Sequence, residues 1–239
     1  MCRPEFAPQS KSDDILKLAT ALNNHVYKET EYIVLNGDGE ALFAKTSRDM
    51  LEHTINEEHF PNLKGIEIQT NANLFDEKAW EKLEKLVHKY DLYIGVSLDA
   101  CHEDTYDRIR IGGNFSQLEE NLKLISTLRK EGKIKYLRYN FCVQRENFRE
   151  IQDFIDFSYE HKVDLIWFQA LRGVNDPGQC VHLPGNIYYD EFCKQILDPR
   201  CKEKKINISQ FKNYVVFPDN EEEYLSYDDF EYRTFNSWR

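Results

Sequence analysis

The chain has 239 residues, 41% hydrophobic and 31% charged, with a formal net charge of −11. This length favours one large domain, or one domain with a small appendage, and the composition excludes wholesale disorder. An acidic surface repels a phosphate backbone, so we expect no nucleic-acid partner. The uncharged stretches are far shorter than the ~20 residues that a membrane span needs, so we expect no membrane partner either. No apolar segment typical of a signal peptide follows Arg3, which predicts a cytoplasmic protein.

The cysteines are spread along the chain. They are Cys2, Cys101, Cys142, Cys180, Cys193 and Cys201. This number is too small for a disulfide scaffold, and no pair has the C-x-x-C spacing of a zinc knuckle or a redox site. We interpret them as free thiols, most of them small core residues.

Strand and helical patterns alternate from residue 32 to residue 170, after a first helical pattern over 13–28. Helical periodicity predicts helices over 13–28, 47–57, 76–90, 115–130 and 148–161. Apolar runs predict strands over 32–35, 65–71, 92–98, 134–143 and 164–170, the first buried on both faces and ending in a glycine turn. Alternation at this spacing predicts βα units with parallel strands, in a doubly wound sheet or in a complete or partial barrel.

The alternation stops after residue 170. A loop over 173–186, a helix over 187–197 and an acidic, aromatic tail over 219–239 are expected there. We therefore divide the chain into an N-terminal segment (1–30), a βα core (31–172) and a C-terminal extension (173–239).

Polar residues follow each predicted strand, at the carboxyl edge where βα folds bind their ligands. They are Asn36 to Glu40, then Thr70 and Asn71, then Ser97 and Asp99 with Arg108 and Arg110, then Gln144 and Asn147, and finally Gln169. Structural roles are open for some of them: Asp99 could cap the next helix, and Arg108 could pair with Glu103 or Asp104. The chain has no nucleophile elbow, phosphate loop or dinucleotide-binding glycine motif.

These strand ends resemble those of the radical S-adenosylmethionine (AdoMet) enzymes. Residues 36–40 (NGDGE) resemble the family's Gly-Gly-Glu motif, and residues 70–72 (TNA) resemble its Thr-Asn-Gly. Residues 96–100 (VSLDA) with 106–115, and 141–144 (FCVQ) with 147–151, are similar to the stretches around its later strands. The likeness covers roughly residues 30–170 and is strongest to the branch with SPASM or twitch extensions.

The resemblance implies an α/β fold, a partial (β/α) TIM-like barrel that lacks its first strand here. By the family pattern, Gly37, Gly39 and Glu40 would receive the AdoMet amino group, and Ser97 and Arg110 would meet its carboxylate or ribose. Asn71 and Gln144 would line the pocket. Of the family's C-x-x-x-C-x-x-C motif for a 4Fe-4S cluster, Cys2 matches only the last cysteine, so we expect the first strand and two cluster cysteines to lie upstream of Met1.

In this family, the reduced cluster cleaves AdoMet and starts radical chemistry on a substrate, here an unknown peptide, protein, sugar or other small molecule. A flavodoxin or ferredoxin would be the electron donor. One thiolate cannot hold a cluster firmly, so we expect this sequence alone to carry none. Two alternatives stay open: a non-catalytic remnant or binding module, and an unrelated βα-barrel enzyme such as a hydrolase or lyase.

Overall fold

The computed structural model describes residues 26–36, 40–42, 44, 59–174 and 176–217, together with residues 17, 20, 21, 47 and 51. The helices predicted over 13–28 and 47–57 fall mainly outside these residues, and the tail over 219–239 falls entirely outside them. Within the described ranges, no helix is long and apolar enough to cross a membrane.

The described residues form one parallel sheet whose strands follow one another in chain order. The strands are β1 (Tyr32–Leu35), β2 (Gly65–Thr70), β3 (Asp91–Ser97), β4 (Tyr136–Val143), β5 (Leu165–Ala170) and β6 (Ile206–Asn207). The five predicted strands and their parallel pairing are confirmed. The sixth was not predicted, because two residues are too few to show a periodicity. The sheet is not closed, as in a partial barrel.

Helices connect the strands. They are α1 (Glu77–Val87), α2 (Glu103–Ile109), α3 (Phe115–Lys130), α4 (Ile151–Glu160) and α5 (Tyr189–Ile196). The helix predicted over 115–130 has the predicted bounds, whereas those predicted over 76–90, 148–161 and 187–197 are shorter than the sequence patterns indicate. Helix α2 was not predicted, because its seven residues make barely two turns. The helix expected from residue 148 instead begins with a 3₁₀ turn over Phe148–Glu150.

Helix α3 shows how local sequence sets an element's bounds. It begins after Asn114, whose side-chain oxygen accepts a hydrogen bond from the backbone N–H of Gln117 at 3.0 Å. It ends before Gly132, which has a φ of +75° that favours glycine. Between these ends, Leu118 and Leu122 are fully buried, as their helical spacing predicts.

The two faces of the sheet differ in chemistry, because successive strand side chains point to opposite sides. One face is apolar and packs against the helices; Phe141, for example, contacts Phe154 of α4 with ring centroids 4.6 Å apart. The other, which we call the inner face, carries mostly polar side chains. By register they are Glu67, Gln69, Ser97, Arg138, Asn140, Cys142, Trp167, Gln169 and Asn207.

Strand β1 departs from the expectation that it is buried on both faces. Ile33 and Leu35 are buried, but Val34 is 45% exposed. Val34 pairs in register with Glu67 and so lies on the inner face, where no described element covers β1. The apolar run in β1 reflects one packed face rather than two.

Candidate functional site

Glu40 is bound to the carboxyl end of β2. Its carboxylate accepts hydrogen bonds from the Thr70 hydroxyl at 2.5 Å, from the Asn71 N–H at 2.7 Å and from the Leu42 N–H at 3.4 Å. Glu40 is half-buried, and it makes no ion pair with any residue in the described ranges. Two of the predicted site residues, Glu40 and Asn71, are therefore in direct contact.

The turn after β2 has an unusual backbone. Ala72 has a φ of +61°, in the left-handed region that favours glycine, and it occupies the position of the glycine in the Thr-Asn-Gly motif that it resembles. The amide of Asn121 on α3 donates to the Ala72 carbonyl at 2.8 Å and stabilises this turn. The Asn71 side-chain oxygen accepts from the Asn73 N–H at 2.9 Å, so it serves the turn itself.

A second group lies after β3. Arg110 pairs with Asp99 at 2.6 Å, and the other Asp99 carboxylate oxygen accepts from the Cys142 N–H at 2.7 Å. Asp99 has a φ of +63°, a costly conformation for a residue with a side chain, and these two contacts stabilise it. The Nε atom of Arg110 is buried and has no hydrogen-bond partner among the residues that the structure describes. Asp99 thus orients the guanidinium, and the Nε–H group remains available to donate a hydrogen bond to a ligand.

Asp99 and Arg108, which follow β3, do not have the structural roles that the sequence left open for them. Asp99 does not cap α2, whose N-cap is His102. Arg108 pairs with neither Glu103 nor Asp104; its guanidinium donates to the Thr105 hydroxyl at 2.8 Å. Asp99 has a left-handed backbone conformation, and its carboxylate accepts from the Cys142 N–H at the end of β4 rather than from the helix that follows.

A third group lies after β4. Gln144 is buried, and its backbone N–H donates to the Asn147 side-chain oxygen at 2.8 Å. The Asn147 amide donates to the carbonyls of Asp99 and Cys142, each at 2.9 Å. Asn147 therefore holds the turns after β3 and β4 together, and it connects Gln144 to the Asp99–Arg110 pair.

Ser97 lies between these groups. It is the last residue of β3 and pairs in register with Asn140 of β4, while Val96 before it pairs with Thr70 of β2. Ser97, at the end of β3, and Asn71, directly after β2, thus lie at the same edge of the sheet. No hydrogen bond or short distance joins Glu40 to Arg110 or Gln144. Gly37, Gly39 and Cys2 lie outside the described residues.

Below this edge, the inner face holds a buried charged pair. Arg138 donates to Glu67 at 2.9 Å, with side chains only 3% and 5% exposed. Gln69 donates to the same Glu67 oxygen and accepts from the Asn140 amide at 3.2 Å, while the Arg138 guanidinium lies 5.1 Å from the Trp167 ring centre. Sequence analysis missed this pair, although polar residues alternate in β2 (GIEIQT) and β4 (YLRYNFCV) and indicate a polar face.

The cysteines in the described ranges are all free and buried or partly buried. Burial, followed by the Asp99 carboxylate, raises the pKa of Cys142 to about 12, so this thiol beside the Asp99–Arg110 pair is neutral at physiological pH. Burial likewise raises the pKa of Cys201 to about 12. Neither residue is poised to react as a thiolate.

The described residues do not fit a 4Fe-4S cluster. Among them, the only group of three or more His, Cys, Asp and Glu side chains close enough to share a metal is Cys101, His102 and Glu150, which contains a single thiol. A cluster of this type needs several thiolates. The expected ligand, Cys2, is not among the residues described, so its role stays a prediction.

No family model matches the chain. A curated protein of Archaeoglobus fulgidus, described as an uncharacterized protein, is 25% identical over 151 residues, which cover 62% of this chain and 34% of that protein. Among solved structures, the radical SAM enzyme anSMEcpe, with bound AdoMet and a Kp18Cys peptide, has a TM-score of 0.54 at 16% identity over 79% of this chain and 51% of its own.

SuiB of Streptococcus suis, bound to S-adenosylmethionine, gives a TM-score of 0.48 at 18% identity over 88% of this chain and 49% of its own. The chain thus spans about a third of the curated relative and about half of these two solved chains. The match to anSMEcpe, together with the parallel, unclosed sheet, shows that this chain has the α/β fold of the radical SAM enzymes.

Proposed function

We propose that this chain is a radical SAM protein that binds AdoMet at the carboxyl edge of β1 to β4. The observation that carries the proposal is the Glu40 carboxylate. Two of its three hydrogen bonds fix it to the end of β2, and no described cation neutralises it. A carboxylate held in this way is suited to receive the ammonium group of an amino-acid ligand.

The other residues at this edge complement the rest of AdoMet. Arg110, oriented by Asp99, offers its buried Nε donor to the ligand carboxylate or ribose. Asn71 directly follows β2, Ser97 ends β3, and Gln144 directly follows β4. By the resemblance, Gly37 and Gly39 let the backbone of the first loop approach the ligand closely.

Radical chemistry is the second part of the proposal. A reduced 4Fe-4S cluster, when bound, supplies the electron that cleaves AdoMet. The described residues provide no thiolate set for it, so we assign only Cys2 as a ligand and derive no catalytic step. The substrate would be a peptide, protein, sugar or other small molecule, and a flavodoxin or ferredoxin would deliver the electron.

A non-catalytic AdoMet-binding module is the second candidate. Two observations favour it. The polar groups at the strand ends are present, and the described residues contain no group of three thiols. The two candidates agree on AdoMet binding and differ in cleavage. Both are therefore addressed by one pair of measurements.

The first measurement is calorimetric titration of the chain with AdoMet, for the wild type and for Glu40→Gln. The glutamine keeps an acceptor for Thr70 but removes the negative charge. A charge-assisted hydrogen bond contributes about 1.5–3 kcal/mol, so the variant should bind AdoMet roughly 10- to 100-fold more weakly. Glu131→Gln, on an exposed turn, is the matched control and should bind like the wild type.

The second measurement uses a form extended upstream to include the two further cysteines that the resemblance implies, because one thiolate cannot hold a cluster. It is reconstituted anaerobically with iron and sulfide and assayed for 5′-deoxyadenosine. Cleavage supports the enzyme, and binding without cleavage supports the binding module. Absence of AdoMet binding, or equal binding by the wild type and Glu40→Gln, would refute the proposed site for both candidates.

A further inference from the structure

Three potential metal ligands lie close together, two of them in the turn after β3 and one just before α4, and an aspartate in the first turn of α4 contacts one of them. Cys101 follows β3 and Glu150 precedes α4; the Cys101 Sγ atom lies 3.7 Å from Glu150 Oε2, and the Cys101 N–H donates to the same oxygen at 3.2 Å. A ring nitrogen of His102 completes a set whose ligand atoms all lie within 4.8 Å of one another. Asp153 contacts His102 Nε2 at 3.0 Å.

The distance between Cys101 Sγ and Glu150 Oε2 suits a small tetrahedral cation. With Zn–S near 2.3 Å and Zn–O near 2.1 Å, a sulfur and an oxygen on one zinc lie about 3.6 Å apart. The spacing of Cys101 and Glu150 already matches this value, so binding would require little movement of either side chain. The carboxylate of Asp153 is placed to orient the imidazole, as carboxylates do for most metal-binding histidines.

Burial is graded across the group. Cys101 and Glu150 are 8% and 9% exposed, whereas the His102 and Asp153 side chains are more than half exposed. Two of the three ligands are thus fixed in the protein, and the third, His102, faces solvent, which provides an entry path for an ion.

We propose that Cys101, His102 and Glu150 form a binding site for a divalent cation of the zinc type, with Asp153 orienting the histidine. A thiolate, an imidazole and a carboxylate are borderline ligands that Zn²⁺ and Co²⁺ accept and that Mg²⁺ and Ca²⁺ do not favour. The site shares no residue with the proposed AdoMet site and needs no iron–sulfur cluster.

The position of the site suggests what the ion does. Cys101 and His102 lie in the turn between Asp99 and α2, and Glu150 lies just after Asn147, which holds the turns after β3 and β4 together. A cation on these ligands cross-links the same two turns a second time. The ion would therefore stabilise the backbone that orients Asp99 and Arg110.

The test uses the metal-free 239-residue chain under reducing, anaerobic conditions. We expect it to bind one Zn²⁺ per chain and to give, with Co²⁺, a sulfur-to-metal charge-transfer band. Cys101→Ser should abolish the band, and His102→Ala should weaken Zn²⁺ binding by at least about tenfold. Because His102 is exposed, His102→Ala tests the site without disturbing the core.

The matched controls are Cys193→Ser, at a partly buried thiol elsewhere, and His88→Ala, at an exposed histidine. Both should bind Zn²⁺ like the wild type. Zn²⁺ should also slow hydrogen exchange in residues 99–103 and 147–153 of the wild type but not of His102→Ala. A wild-type chain that binds no Zn²⁺ at micromolar concentration would overturn the proposal, as would binding that His102→Ala leaves unchanged.

Discussion

Removing Arg138 should destabilise the fold severely, because it would leave a carboxylate buried without its cation. Arg138 and Glu67 lie on the inner face with side chains 3% and 5% exposed, and their contact distance is 2.9 Å. In Arg138→Met the apolar stem is kept, and the described contacts leave Glu67 with the neutral Gln69 amide as a donor. Breaking a buried pair in this way costs about 3–5 kcal/mol.

The loss is measurable by urea denaturation followed by circular dichroism. For a slope of about 3 kcal/mol per molar urea, the expected cost lowers the unfolding midpoint by roughly 1–1.7 M. The double variant Glu67→Gln/Arg138→Met removes both charges, and we expect it to recover at least about half of the loss. A loss below about 1 kcal/mol for Arg138→Met, or a double variant as unstable as the single one, would refute the reasoning.

Three further changes should alter stability in urea unfolding. Burial, and then the Arg172 charge, lowers the pKa of His182 to about 4 from its ordinary 6.5. As the pH falls below 6.5, His182 therefore becomes protonated in the unfolded chain before it does so in the folded protein. The free energy of unfolding should drop by about 2 kcal/mol between pH 7.5 and 5. In Gly95→Ala, the new Cβ would overlap the Gln69 amide and cost about 1–3 kcal/mol. Asn114→Ala removes the N-cap of α3 and should cost about 1 kcal/mol.

Each of these predictions has its own control. His182→Phe should flatten the pH dependence, and an equally steep one would exclude His182 as its source. The loss in Gly95→Ala should shrink in a Gln69→Ala background, since the clash is then absent; an undiminished loss would contradict the contact. Asn114→Ser should retain most of the stability that Asn114→Ala loses, and equal losses in the two variants would show that the cap is not the cause.

The core of the fold could be predicted from the sequence because the signals are local. The apolar run at Tyr32–Leu35 matches β1, and the helical spacing of Leu118 and Leu122 matches α3. Short elements escaped prediction for the same reason: α2 makes barely two turns, and the two residues of β6 become a strand only because β5 lies beside them.

The site divides in the same way. That polar residues follow each strand is visible in the chain, and parallel pairing then places Asn71 and Ser97 at one edge of the sheet. Three contacts cannot be seen in the sequence. They are the hydrogen bond of Glu40 with Thr70, the ion pair of Arg110 with Asp99 and the contact of Cys101 with Glu150. They join residues 11 to 49 positions apart through turns of positive φ and loops whose paths no local pattern specifies.

The sequence by itself therefore determined the order of strands and helices, the parallel sheet and the edge at which polar groups collect. These follow from periodicity and from the rule that βα units place their strands side by side. Only the tertiary structure decided which polar groups are available to a ligand and which form hydrogen bonds or ion pairs with one another. That distinction depends on side-chain distances between separate loops, as the pairing of Arg138 with Glu67, 71 positions apart, shows most directly.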